Sequence, residues 1–264
     1  MSDFAARSTR GRRNLYPLEK GVAPPMGAEI RRGPSGSRGA RDAFRIRLAA
    51  LCLVLSGLSF VAFPAVRPFF DETTLQGAAG FVSIRWVLAH AFGMAGFLFL
   101  CLGFLGVWIA VGHGEAEAQA FQALVLGWIG TGLTLPFFGA EAFGLQVIAR
   151  AAVDRNDSTM IPLVNEVRFG PGIWFVAAGL VLVAASTIVL ALAIRKSAIL
   201  PTWSGVPLAV GLTVYLPQLQ GDPLFQPIRI AVGLLIALGC GWIAYGLRAA
   251  ARRAAPSDSS STDS

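Results

Sequence analysis

An all-α integral membrane bundle of six transmembrane helices is the fold class that the sequence predicts, and three observations predict it. Of the 264 residues, 55% are hydrophobic and 14% are charged, with a mean hydropathy of +0.62; a soluble domain averages about 25% charged residues. The apolar residues gather into six runs, near or above the roughly 20 residues that a helix needs to cross hydrocarbon. Most of the Lys and Arg fall outside those runs.

Residues 1–43 precede the bundle. They are basic and rich in Gly, Pro and Ser ("IRRGPSGSRGARD"), without helical or strand periodicity. A disordered tail is expected there. The apolar run that follows is not expected to be a signal peptide, because its charged leader is too long and no small-x-small site comes after it. The expected spans are about 45–66, 85–111, 121–149, 170–194, 203–219 and 228–248. The fifth is the weakest, punctuated by Pro201, Pro207 and Pro217, which fall near the helix ends where proline is tolerated, so the alternative to a full fifth span is a short or broken one. The transmembrane domain is drawn at 44–250, and residues 251–264, ending in "PSDSSSTDS", form a second polar, disordered tail.

Orientation follows from Lys and Arg. With six spans and an inner N-terminus, the outer loops hold Arg67, Arg85, Arg150, Arg155, Arg168 and Arg229, and every other Lys and Arg lies inside. The short loops alone are ambiguous. Arg41, Arg45 and Arg47, next to the first span, decide for a cell-membrane protein with both termini cytoplasmic.

The second and third spans enclose the main chemical question. "FFGAEAFGLQVIAR" (137–150) places Glu141 inside an apolar run. A charged acid at the centre of a span costs about 2.5–3.5 kcal/mol. The short loop "VGHGEAEAQA" makes the two helices antiparallel neighbours. His90 lies 26 residues before the loop centre near residue 116, and Glu141 lies 25 after it. At about 1.5 Å per residue the two sit at one height, in the outer half. At 100° per residue Gly130, Thr134 and Glu141 share a stripe of the small and polar kind that faces other helices. Three readings follow. A His90–Glu141 pair clamps the packing; or it binds a solute, ion or proton from outside; or it is catalytic or metal-binding. The third needs ligands that the sequence does not supply, and His113 stands at the opposite surface, so no bis-histidine haem is expected. Arg168, at the start of the fourth span, is the next candidate partner for Glu141.

The outer loops 67–85 and 154–170 are each long enough for a short surface helix, the second capped by Ser158. Tyr215, with the glutamines and Asp222 of 217–229, is a candidate rim over His90 and Glu141. The candidate polar site is therefore His90, Glu141, Arg168 and Tyr215, with no catalytic residue, metal or cofactor assigned. Cys52, Cys101 and Cys240 lie in apolar runs without metal or redox spacing and read as buried thiols. The recurrent glycines from Gly93 to Gly130 read as helix packing. The expected partner is the bilayer, with anionic lipid near the basic tail. No nucleic-acid partner is expected, because the tail has few aromatics and no fold.

The stretch "RKSAILPTWSGVPLAVG" (195–211), with "WVLAH" (86–90) and "GAEAFGLQ" (139–146), resembles an uncharacterised family of bacterial polytopic membrane proteins of unknown function. The resemblance covers about residues 45–250. It implies a compact bundle of about six helices and no activity. Thr202 stands where that family often carries a basic residue.

The functional expectation is a non-enzymatic membrane protein with a polar site in its outer half. The alternatives are a small transporter or solute- or proton-binding protein using Glu141 and His90, and an intramembrane enzyme.

Overall fold

The computed structural model describes residues 35–215 and 223–254. The expectations for residues 1–34, 216–222 and 255–264, including lipid contact by the basic tail and a rim at 217–222, lie outside the described residues. Within them the fold is all-α, with no strand. In chain order the helices are α1 (Ser35–Val66), α2 (Leu75–Val82), α3 (Ile84–Val111), α4 (Glu117–Gly139), α5 (Leu145–Arg155), α6 (Ile161–Phe169), α7 (Gly172–Ser197), α8 (Val206–Tyr215) and α9 (Gln226–Ala254). A π-helical turn, Ala140–Gly144, joins α4 to α5, and 3-10 turns precede α6 and α9.

Five helical stretches are long and apolar enough to cross a membrane: Gly39–Val66, Ile84–Val111, Glu117–Arg155, Ser158–Ser197 and Gln226–Arg253. Of the expected fifth span at 203–219, the described part holds α8, a helix of 10 residues, about 15 Å long at the usual rise, with Pro207 in its first turn; residues 216–219 lie outside the described residues. Among the described residues, helix is already present from Ser35, where alanines and an Arg45–Asp42 ion pair of 3.4 Å favour it, and α9 is helical through Ala254, burying Ala251.

Local chemistry sets the breaks. Thr74 caps α2 by accepting from the Gly77 amide. Ser83 ends α2 and caps α3, accepting from the Trp86 amide, so the two helices meet at one residue. At the other end of α3, Gly112 turns the chain at φ 60°, and the Trp108 indole donates to Glu117 at 2.7 Å across the short loop. The second expected cap is displaced by one residue. Asp157, not Ser158, caps the turn before α6, its carboxylate accepting from the Thr159 hydroxyl (2.6 Å) and amide (2.9 Å). Asp71 binds Thr73 in the same way. In both cases the threonine hydroxyl, then the amide, holds the carboxyl below its usual range.

Two apolar clusters organise the packing. The larger runs through α1, α3, α4, α7, α8 and α9, with Phe60, Phe97, Phe104, Leu190 and Ile236 fully buried. The smaller is a helical cap, in which Ala78 and Phe81 of α2 meet Leu145, Ala149 and Ala152 of α5, Val164 of α6 and Trp86 at the start of α3. The loops expected to carry short surface helices do carry them, each with one face buried in this cluster and the other exposed. Helices α4 and α7 pack backbone against backbone. A methyl on Gly130 would lie 2.7 Å from the Gly179 carbonyl oxygen, and one on Gly179 would lie 2.5 Å from Thr134 Oγ1. Backbones this close gain dispersion along their length, which is the main cohesion between helices when the surroundings are equally apolar.

Gly130→Ala therefore destabilises the fold by about 1–3 kcal/mol, the usual cost of overpacking. Gly132→Ala, where an added methyl meets nothing within 4 Å, leaves stability unchanged or slightly raised. Thermal unfolding of the two variants in detergent checks this; equal effects would contradict the packing.

Candidate functional site

The π turn carries Glu141. Its wide loop brings the Leu145 amide to the Ala140 carbonyl, and the Glu141 carbonyl accepts from the Trp86 indole at 2.7 Å. A side chain of α3 thus fixes the turn, and Glu141 is 5% exposed. Its carboxylate is held by a bidentate fork. Arg168 Nε donates to Oε1 at 2.7 Å and Nη2 donates to Oε2 at 2.9 Å. Arg168 sits in the last turn of α6, where the helix dipole favours a cation.

The remaining edge of Arg168 continues the network. Its Nη1 donates to Glu72 Oε2, and Glu72 Oε1 accepts from Arg67 Nη2 at 3.2 Å. The chain Arg67–Glu72–Arg168–Glu141 links the end of α1, the following loop, α6 and the π turn. Aromatic faces line it. The Arg168 guanidinium carbon stands 5.2 Å from the Phe81 ring centroid and 5.5 Å from that of Trp86. Arg67 stands 4.8 Å from Trp86 and 5.3 Å from Phe69, and Arg229 stands 4.9 Å from Phe69. Such faces stabilise cations by about 0.5–2 kcal/mol each as the site dries.

His90 and Glu141 do meet, at the common height that the hairpin predicts, but not as the primary pair. His90 Nε2 is 3.7 Å from Glu141 Oε2, beyond hydrogen-bond reach. The other ring nitrogen, Nδ1, is 2.8 Å from the Trp86 carbonyl. A carbonyl only accepts, so Nδ1 carries a proton there, and Nε2 is the nitrogen that faces the carboxylate. The ring lies between Trp86 on the cap side (4.4 Å) and Phe63 and Phe138 on the bundle side (5.5 and 6.0 Å). The stripe expectation holds as well: Gly130, Thr134 and Glu141 are all buried. Tyr215 stands apart from its expected role. It is 6% exposed, its ring edge-on to Phe60 at 5.6 Å and Phe97 at 6.2 Å, inside the bundle rather than on a wet rim.

Arg67, Glu72 and Trp86 were not among the expected site residues. Their signal was present in "RPFFDE", an arginine at the end of a span with an acid five residues on. What the sequence hides is that this loop turns back over α2, seating Phe70 edge-on to Phe81 at 4.8 Å. The three cysteines are buried, free thiols. Among the described residues no group of three or more His, Cys, Asp or Glu is placed to hold a metal ion.

Comparison with family models, curated proteins and solved structures finds no match to this chain.

Breaking a buried charge pair by removing one partner costs about 3–5 kcal/mol, because the other charge is left stranded. Glu141→Gln and Arg168→Gln are each expected to destabilise strongly, and the double variant less than their sum. The corresponding cycle for Glu141 and His90 shows weak coupling, near the roughly 0.6 kcal/mol average for polar pairs between membrane helices. Thermal or denaturant unfolding of both cycles checks this ranking; stronger coupling to His90 than to Arg168 would reverse it.

Proposed function

We propose that this chain is a non-enzymatic integral protein of the cell membrane that crosses it six times, with both termini cytoplasmic. Its outer half holds the Arg67–Glu72–Arg168–Glu141 network as a clamp between the helical cap and the bundle. The observation that carries the membrane reading is the outward surface of the long helices. Trp174 of α7 is 76% exposed, Tyr245 of α9 is 71% and Leu238 is 59%. Large apolar side chains exposed along helices of this length support a lipid-facing surface.

Six crossings are supported by where the ends lie. Arg253, near the end of α9, donates to the Ile199 carbonyl after α7, and Asp42, Ala110 and Ala198 line the same end. At the opposite end Gln226, which opens α9, donates to the Pro64 carbonyl of α1. Pro201 lies against Gly246, so between Pro201 and Gln226 the chain moves from one end to the other, and α8 supplies half of the passage. The charge tally favours the cytoplasm for the end with Arg45, Arg195, Lys196, Arg252 and Arg253. Three of the six arginines counted against that orientation, Arg67, Arg168 and Arg229, are buried rather than free loop charges. Kinship with the uncharacterised polytopic family, carried by "WVLAH" and "LPTWSG", is part of the same proposal.

A second reading, a small transporter or solute-binding protein using Glu141 and His90, is favoured by one observation: the helix is interrupted by a π turn at its buried acid, and such bulges frequently mark functional sites. A solute path past Glu141 would separate the two readings, since a clamp needs none.

Reporter fusions after residues 115 and 256 should report cytoplasm, and a fusion after residue 157 should report the outside. Any one on the wrong side overturns the six-crossing topology.

A further inference from the structure

A cleft opens at the end of the bundle where α3, α7 and α9 finish, the end that the charge tally assigns to the cytoplasm. Its volume is about 480 Å³, within the roughly 300–1,000 Å³ of ligand sites. Ile46 of α1, Ile109 of α3, Ile199 after α7 and Ala250 of α9 give it an apolar lining, and Asp42 and Arg253 are its charged members. Asp42 is engaged by Arg45 at 3.4 Å. Arg253 donates one N–H to the Ile199 carbonyl at 3.0 Å, which fixes its guanidinium on the wall. A guanidinium carries five such donors.

The charge around the cleft is one-sided. Arg252, beside Arg253, is exposed, and so are Arg195 and Lys196 in the last turn of α7. The C-termini of α3, α7 and α9 meet here, each a partial negative charge of about one half, and these cations outweigh them. A planar guanidinium matches phosphate oxygens, while the apolar lining offers nothing to a free, hydrated anion. A phosphate joined to hydrocarbon satisfies both parts. The level in the bilayer agrees. Trp203, 57% exposed, stands in the loop after α7 with Arg195 4.8 Å above its ring, and tryptophan gathers at the headgroup boundary.

We propose that this cleft binds one anionic glycerophospholipid of the surrounding bilayer, its phosphate on Arg253 and the start of an acyl chain against Ile46, Ile109 and Ile199. Arg195, Lys196 and Arg252 attract the headgroup through their field, and Arg253 holds it. Basic pockets between spanning helices take such headgroups. The site rests on the membrane reading and names a lipid for it. Reporter fusions on the wrong side would unseat the topology without altering lipid selectivity, and lost selectivity would leave the topology standing.

The test titrates the full chain in non-ionic detergent with phosphatidylglycerol, or with zwitterionic phosphatidylcholine of the same acyl chains, and follows thermal unfolding. About 1 M salt leaves a screening length near 3 Å, which removes attraction between exposed charges. Phosphatidylglycerol should raise the melting temperature saturably, on the order of 5–10 °C at about one hundred times the half-saturating mole fraction; phosphatidylcholine should not. Arg253→Gln should raise the half-saturating amount about tenfold, the loss of a charged hydrogen bond. Arg252→Gln, the same charge change outside the lining, should leave it within about twofold. Ala250→Trp, which fills the cleft at unchanged charge, should remove the effect; should it not fold, the two arginine variants decide. Equal stabilisation by both lipids, equal loss in both arginine variants, binding that survives Ala250→Trp, or the same rise with inorganic phosphate alone would each overturn the proposal.

Discussion

Glu141 carries a charge that an apolar interior does not hold alone, and the two-point grip of Arg168 makes its burial tolerable. The pair lies at 2.7 and 2.9 Å, the geometry in which a planar guanidinium matches a carboxylate best. Much else follows from it. Arg168 reaches Glu141 only because α6 packs within the cap. Glu141 meets Arg168 from a π turn, whose extra residue re-aims the side chain, and the turn is held by the Trp86 indole. Glu72 spans from Arg168 to Arg67 and ties the end of α1 into the same network. The paired groups satisfy one another, so the network constrains the cap more than it adds net stability.

The second constraint is contact between backbones. Gly130 and Gly179 let α4 and α7 approach until carbonyls and amides nearly touch an added methyl, and Thr134 returns its hydroxyl to the Gly130 carbonyl at 2.8 Å. The rigid α4–α7 pair gives the cap a fixed base, because the π turn leads directly out of α4 and α7 follows directly on α6. The bundle is cohesive through shape, and the cap is held to it through charge.

Much of this was legible in the sequence because it is periodic. The long apolar runs marked the five long helical stretches, though not all of their ends, and the loop near residue 116 gave the common height of His90 and Glu141. The stripe of Gly130, Thr134 and Glu141 gave the inward face. What was not legible depends on irregular backbone. The π turn alters azimuth by one residue and has no composition signal of its own, so equal height did not make His90 the partner within hydrogen-bond distance. Arg168 was visible, but its reach to Glu141 depends on how α6 lies. Glu72 read as a wet loop residue because nothing local says that "RPFFDE" folds back. Tyr215 read as a rim residue because it precedes the glutamines and Asp222 of 217–229; its ring instead falls among Phe60 and Phe97. Asp157 and Ser158 both fit a cap, and the hydroxyl of Thr159 favoured the aspartate.

The central claim is that the Glu141–Arg168 pair fastens the cap to the bundle. Hydrogen exchange of the full chain in detergent, comparing the unaltered protein with Arg168→Gln, tests it most directly. The account predicts that amides of α2, α5 and α6 lose protection while those of α4 and α7 around Gly130 and Gly179 keep theirs. Unchanged protection in the cap, or a uniform loss across cap and bundle alike, would contradict it.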